Sequence, residues 1–284
     1  MKHQMIKWSS HVPFVLNLHI TKACNMKCRF CFGGFNECHS KLSKNEWIEL
    51  IHRVADETKH IPNRRINFAG GEPLLVPYLS DLILTCHQCG LDASIITNGS
   101  LLTKEFIEAN KKYLSCIGIS IDDLSIERNE LSGRSVNGKP LSFMDYVERC
   151  QWVKEAGIKL KVNTVINRFN ASQNFSPLLE WVDVDRWKVL RMLLLENENL
   201  GAKDWLPSDE LFNDFVSRHL KHRPVVENDA DIQNTYLFVS PDGMLMDNGT
   251  GELKSLVNLN EHSLAFAMDQ LNFNSVTYRK RYQA

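Results

Sequence analysis

The sequence predicts an α/β fold on a parallel sheet. Three observations predict it: short strand-like apolar runs recur, amphipathic segments of helical period separate them, and helix start and stop signals mark the alternation. The runs 14–21, 65–69, 93–98, 116–122, 158–167 and 186–194 read as strands, and 43–58, 77–89, 103–113, 142–156 and 174–182 read as helices. Six such units imply parallel strands, because each strand is followed by a segment long enough to cross back over the sheet. Right-handed crossovers curl that sheet into a doubly wound sheet or a barrel.

Taken in order, the first strand carries Phe14, Leu16, Leu18 and Ile20 on one face and Asn17, His19 and Thr21 on the other. The helix after it opens with a capping box, Ser43-x-x-Glu46, and continues with Trp47, Ile48, Leu50, Ile51, Val54 and Ala55 at helical spacing. The second strand runs into Asn67-Phe68-Ala69-Gly70-Gly71-Glu72-Pro73, where two glycines admit backbone angles and close approaches closed to other residues. Gly90 and Gly157 fall just past helices, at left-handed stop positions, and Ser142-x-x-Asp145 starts another helix. Thr97-Asn98-Gly99-Ser100 follows the third strand and Ser120 ends the fourth; both are also ordinary turn and cap residues.

The alternation recurs in later strands. Ile117, Ile119 and Ile121 oppose Ser120 and Asp122; Ile158, Leu160, Val162 and Ile166 oppose Lys159, Lys161 and Asn163; Arg186 and Lys188 share a face. Strands of a packed barrel are apolar on both faces, so a polar face implies a wet lumen, the competing reading being an antiparallel sheet with one solvated side. Lys161, Arg186 and Lys188 have no acidic partners on their own strands, and desolvated cations need a counter-charge, so a phosphate-bearing ligand is the expected occupant.

At 284 residues, one α/β domain with a tail is expected. Lys plus Arg total 33 against 34 Asp plus Glu, a net charge of -1 that gives no global reason to bind nucleic acid or membrane. No run approaches a membrane span, Met1–Ser10 is not a signal peptide, and a cytoplasmic location follows as the expectation. The chain has eight cysteines. Cys86-x2-Cys89 lies inside a helical pattern and reads as buried packing. Cys24, Cys28 and Cys31 differ: their x3-x2 spacing, straight after the first strand, suits three thiolate ligands of an iron-sulfur cluster, with one iron left open. A zinc site short of one ligand, or three buried thiols, is the alternative.

The segment Cys24-Asn25-Met26-Lys27-Cys28-Arg29-Phe30-Cys31 resembles the signature of the radical S-adenosylmethionine (SAM) enzymes. That resemblance implies a partial (β/α)6 TIM-like barrel with a carboxy-terminal extension, here residues 1–195 and 196–284. It also implies a 4Fe-4S cluster on Cys24, Cys28 and Cys31, and SAM chelated to the open iron. Gly70, Gly71 and Glu72 then resemble the element that binds the SAM amino group, with Asn98, Ser120 and Phe30 as further SAM contacts. Within the superfamily, the stretches 161–170, 186–190, 196–199 and 235–237, with Gly133-Arg134, resemble the viperin family. In that family, residues matching Asn17, Arg134, Lys161, Asn163, Arg186 and Lys188 surround a nucleoside triphosphate. Arg134, among Ser132, Gly133, Ser135, Asn137 and Gly138, then sits on a flexible loop able to close over phosphates, or is a solvated loop arginine.

The activity so implied converts CTP, GTP or UTP to a 3′-deoxy-3′,4′-didehydro nucleotide, a chain terminator in antiviral defence. The 4′ hydrogen is abstracted and the 3′ hydroxyl lost, with no side chain as nucleophile. The expected partners are that nucleotide and an external one-electron donor of flavodoxin or ferredoxin type, without nucleic acid or membrane, around a monomer. Arg279-Lys280-Arg281 reads as a solvated face or as an element closing the phosphate site. Competing readings are a radical SAM enzyme on another phosphorylated substrate and a non-catalytic cluster- or nucleotide-sensing protein.

Overall fold

The structure is a computed structural model that describes residues 11–33, 41–249 and 251–282. Met1–Ser10, Cys38 and the closing Gln283 and Ala284 lie outside the described residues. Strands occupy the six expected places: β1 (Phe14–Thr21), β2 (Arg64–Gly70), β3 (Asp92–Thr97), β4 (Leu114–Ser120), β5 (Lys159–Ile166) and β6 (Arg186–Arg191). Between them run α1 (Lys44–Glu57), α2 (Leu79–Gln88), α3 (Lys104–Asn110), α4 (Ile126–Leu131), α5 (Phe143–Glu155) and α6 (Ser176–Trp181). Both predicted capping boxes form: Ser43 and Ser142 each accept from the amide three residues on, and Glu46 and Asp145 accept the cap amide in return. The short helix α4 falls where the sequence reads as loop. Its cap Ser125 accepts from the Arg128 amide, but six residues are too few to display a helical period.

The remaining chain adds α7 (Asp209–Arg218), β7 (Val225–Glu227), α8 (Asp229–Ile232), β8 (Leu237–Val239), β9 (Met244–Asp247), β10 (Lys254–Asn258), α9 (Leu264–Gln270) and α10 (Ser275–Lys280). One ten-stranded sheet results, in the order β10-β9-β8-β1-β2-β3-β4-β5-β6-β7. β8 pairs parallel to β1 and β7 parallel to β6, so carboxy-terminal residues extend both flanks of the parallel series. β9 and β10 pair antiparallel. The sheet is open, as a partial barrel is.

The side-chain alternation fixes which face is which. Leu16, Leu18, Ile20, Ile117, Ile119, Ile121, Leu160 and Val162 are fully buried in the main core with Trp47, Leu50 and Tyr146 of the covering helices. Each such side chain contributes about 1.5–3 kcal/mol on leaving water. Slipping a strand by one residue would exchange them for Asn17, Lys161 or Asn163, so the register is strongly specified and the polar set must face inward.

His219, at the end of α7, packs against Phe215 and Trp187 at ring-centroid distances of 4.4 and 5.3 Å. Its Nε2 accepts from the Phe175 amide at 3.0 Å, and its Nδ1 donates to the Phe215 carbonyl at 2.7 Å. A second proton would meet a donor, and burial holds its pKa below the usual 6.5. The depressed folded pKa means this contribution is complete above about pH 6.5 and is lost as pH falls below it. The urea midpoint should therefore drop between about pH 8 and about pH 5.5, and His219→Gln should shrink that drop.

Candidate active site

β1 delivers the chain into the cysteine loop, and backbone bonds hold that loop from two sides. On one side, Gly71 N donates to Thr21 O at 2.7 Å and Glu72 N to Ala23 O at 2.8 Å. On the other, Lys27 N donates to Gly133 O at 3.0 Å and Arg29 N to Ser132 O at 2.8 Å. A methyl group on Gly71 would lie 2.5 Å from the Ala23 carbonyl carbon, and one on Gly133 (φ +75°) 2.9 Å from that of Lys27. Only glycine permits either approach.

Within the loop, Cys24 Sγ accepts from Met26 N at 3.5 Å and faces Asn98 Nδ2 at 3.8 Å; Cys31 Sγ accepts from Gly33 N at 3.4 Å. Burial pushes all three thiols up, Cys28 to about 12, while the Arg134 guanidinium opposes the rise. Amide donors and a buried cation around sulfur are the surroundings that thiolates on iron use. Among the described residues, no three His, Cys, Asp or Glu side chains converge on a single metal ion. Three loop cysteines suit a cluster that leaves one iron open, whereas a structural zinc site takes four protein ligands.

Two of the expected site residues are more deeply buried than their turn and loop composition suggests. Glu72 is 0 % exposed, and its carboxylate accepts from Thr97 Oγ1 and Asn98 N, both at 2.7 Å, and from Leu74 N at 3.1 Å. Burial lifts its pKa to about 7. Its oxygens brace the glycine turn against the end of β3, and Gly70 and Gly71 lie at the rim of a cavity beside it. Arg134 is 6 % exposed, ion-paired to Asp122 and donating to the Ser120 carbonyl at 3.2 Å. It is not a solvated arginine. Asp122, two residues past the end of β4, anchors it beside the cysteines, a partner that sequence spacing does not reveal.

The other expected SAM contacts lie near the same end. Asn98 Nδ2 donates to Asn25 Oδ1 at 2.9 Å, which ties β3 to the cysteine loop. Ser120 closes β4, and Phe30 is buried with Trp205 at a centroid distance of 6.2 Å. Phe32 is exposed.

Toward the strand starts, a cavity of about 300 Å³ collects Asn17, Lys161, Arg186 and Lys188. Parallel register sets Lys161 beside Arg186 and Asn163 beside Lys188. Asn163 Oδ1 is buried without a partner. Lys161 has no side-chain hydrogen bond or ion pair among the described residues, and burial lowers its pKa. No acid on β5 or β6 pairs with these cations, as expected, but Lys188 finds one on another strand. Glu227 of β7 pairs with it at 2.6 Å and with Arg281 at 2.7 Å, and accepts from Tyr236 OH at 2.5 Å. Arg281 also donates to Asp231 O and Thr235 Oγ1, so it is no solvated face. Arg186 donates to the Arg281 carbonyl at 3.1 Å. Spacing gave no sign of Glu227, which comes from a three-residue strand; Arg281, just past α10, is the member of the closing basic run that lines the cavity. Asn67 and Ser94 are further additions: Ser94 Oγ donates to Asn67 Oδ1, Asn67 to Asn17 and Asn17 to Leu237 O, each at 2.8 Å, in one chain across the lumen wall.

A cysteine loop at the strand ends above a cationic lumen is the arrangement of one enzyme class, and comparison with known proteins agrees. Residues 18–181 match the Radical SAM superfamily. Solved structures of the same fold include anSMEcpe with bound AdoMet (TM-score 0.70, 14 % identity, 91 % of this chain and 79 % of that one) and Streptococcus suis SuiB bound to S-adenosylmethionine (0.68, 16 %, 94 % and 67 %). S-adenosylmethionine-dependent nucleotide dehydratases are similar over most of the chain. The one from Flammeovirga pacifica is 31 % identical over 96 % of this chain and 95 % of its own. Those from Lacinutrix mariniflava and Danio rerio are 34 % and 33 % identical, over 93 % and 82 % of this chain and 56 % and 68 % of theirs. The chain belongs to the S-adenosylmethionine-dependent nucleotide dehydratase family of the Radical SAM superfamily. It is an enzyme whose cofactors are a 4Fe-4S cluster and SAM.

Because the loop is held by backbone, Gly133→Ala should displace it at a cost of about 1–3 kcal/mol. The measurement is iron and sulfide bound per chain after anaerobic reconstitution, which should fall clearly, whereas Gly201→Ala, with open space around it and no left-handed backbone, should leave cluster content unchanged.

Proposed function

We propose that the protein converts a nucleoside triphosphate, CTP, GTP or UTP, to its 3′-deoxy-3′,4′-didehydro analogue, a chain terminator in antiviral defence. The observation that carries this reading is Lys161, a half-buried cation without a partner among the described residues, beside Arg186 in a lumen below the cysteine loop. An unbalanced cation in a cavity of about 300 Å³ is stabilised by an anionic ligand, and a triphosphate supplies the charge. When bound on Cys24, Cys28 and Cys31, the cluster with SAM supplies the one-electron chemistry that removes a hydrogen atom. The chain's own task is placement. Lys161, Arg186 and Lys188 hold phosphates toward the strand starts, and Asn17 and the orphaned Asn163 Oδ1 offer polar contacts to the nucleotide. The sugar then lies nearer the strand ends, with its 4′ hydrogen toward the cysteine loop. Gly70, Gly71, Asn98, Ser120 and Phe30 border SAM; Glu72 and Arg134 keep that border rigid. Loss of the 4′ hydrogen atom and of the 3′ hydroxyl as water balances with one proton and one electron.

The same reading makes residues 196–284 an extension that closes the barrel core of 1–195, through Glu227 and Arg281. It also gives a cytoplasmic monomer served by a flavodoxin- or ferredoxin-like donor, without a membrane partner. No helix among the described residues is long and apolar enough to cross a membrane. The reduced, reconstituted enzyme with SAM and each nucleotide in turn tests the function: 5′-deoxyadenosine release with a nucleotide product one water lighter in its sugar supports it, and background release with all of them contradicts it.

Lys161 and Lys188 should separate in mutagenesis. Lys161→Met should raise the nucleotide KM about 10- to 100-fold while cluster absorbance and urea stability hold, because only an unpaired cation is lost. Lys188→Met should raise KM similarly and also cost about 2–4 kcal/mol of stability, because Glu227 loses a buried partner.

A further inference from the structure

The outer side of the cysteine loop is cationic. Between the cysteines, buried Met26, Cys28 and Phe30 alternate with exposed Lys27 and Arg29, so two positive charges cover the loop from solvent. Beside them, Phe30 packs on Trp205 at a centroid distance of 6.2 Å, and Trp205 on Phe169 at 4.4 Å. Phe30 and Trp205 are buried, whereas Phe169 is 42 % exposed. Two ring contacts thus connect the loop to solvent, at a shallow cleft that Phe30, Ser132, Phe169 and Trp205 share. Arg29 N donates to Ser132 O at 2.8 Å, which puts the loop at the edge of that cleft; the glycine turn bonds the loop from the other side. Arg168, whose guanidinium lies 5.9 Å from the Phe169 ring centroid, and Lys203, on the turn that ends in Trp205, are exposed as well. None of Lys27, Arg29, Arg168 and Lys203 makes an ion pair among the described residues. Exposed Glu130 and Asp204 flank these positions in sequence and leave the patch positive on a chain of net charge -1.

We infer that this patch is the docking surface of the electron donor, and that the donor is a flavodoxin-like protein whose exposed flavin edge meets Phe169 while surrounding carboxylates meet the four cations. The inference rests on the radical reading above, which requires an electron from outside, and adds where that electron enters. One electron leaves the donor, which is oxidised by one, and the cluster is reduced by one; no covalent bond of this chain changes. Electron tunnelling weakens steeply with distance, so a donor gains most where the cover over the cysteines is thin. Unpaired surface cations draw an acidic partner to that place. An exposed aromatic ring inside a cationic rim suits a planar aromatic edge bordered by carboxylates, which favours a flavin carrier over an iron-sulfur carrier.

The test measures equilibrium binding of an oxidised, fluorescently labelled flavodoxin of acidic surface to the cluster-loaded, SAM-bound enzyme without nucleotide, at about 50 and about 500 mM salt. Arg168→Glu with Lys203→Glu, which spares the cysteine loop itself, should weaken binding about tenfold at low salt, and screening should shrink the difference to within about twofold at high salt. Phe169→Ala should weaken binding about threefold or more at both. Lys112→Glu, just before β4 at the far end of the sheet, should leave it unchanged. In turnover, 5′-deoxyadenosine release by the double variant should fall with flavodoxin as donor and hold with reduced methyl viologen, a small cation. Low-salt affinity of the double variant within about twofold of wild type overturns the inference. So does equal weakening by Lys112→Glu, or equal slowing with methyl viologen, which would mean a disturbed loop. An acidic ferredoxin that binds more tightly and ignores Phe169→Ala overturns the flavin partner, and a single-stranded oligonucleotide that outcompetes flavodoxin assigns the patch to nucleic acid. Binding is read without nucleotide, so a failure of every nucleotide to release 5′-deoxyadenosine strikes the nucleotide reading and leaves the docking result standing.

Discussion

Four backbone hydrogen bonds hold the cysteine loop between the glycine turn after β2 and the Ser132–Gly133 segment after α4. Backbone-to-backbone contact fixes a loop more tightly than side chains can, since no rotamer intervenes, and the two glycines make the approach sterically possible. Buried charges then lock each flank: Glu72 joins the turn to β3, and Asp122 with Arg134 joins β4 to the loop. Removing one partner of such a pair leaves the other desolvated and uncompensated, so these residues matter for shape before they matter for chemistry.

The position of that loop decides what the lumen can do. The side-chain period of two puts Asn17, Lys161, Asn163 and Lys188 inside whenever Leu16, Leu160 and Val162 are outside, so core packing and ligand chemistry are one choice of register. Glu227 complicates the charge balance. It pairs with Lys188 and Arg281 and acts on Lys161 only through space, which leaves the least compensated positive charge on the β5 side of the cavity. A phosphate chain entering there meets one free lysine and one lysine shared with a carboxylate, and these contribute unequally.

Long periodic elements were legible in the sequence and short ones were not. β1, β5 and α1 carry enough residues for alternation or a capping box to identify them, and the cysteine spacing identified the cofactor loop. β7 and β8, at three residues each, carry no period, so the strand that supplies Glu227 to Lys188 went unread. Arg134 misled because its neighbours have loop composition, whereas its burial depends on Asp122, fixed by a crossover and not by sequence distance. Glu72 resembles a ligand-facing carboxylate, yet three donors at the end of β3 and in its own turn claim its oxygens. Hydrogen-bond partners across strands are decided by register, which a single sequence specifies only through the apolar face.

The central claim is that the lumen aims the ribose of a nucleotide at the cysteine loop. Its most direct measurement is isotope transfer: the reduced enzyme is turned over with SAM and a nucleoside triphosphate deuterated only at C4′, and the 5′-deoxyadenosine is analysed by mass. The account predicts that deuterium appears in the 5′-deoxyadenosine and is lost from the nucleotide product. Unlabelled 5′-deoxyadenosine formed at the full turnover rate would contradict it.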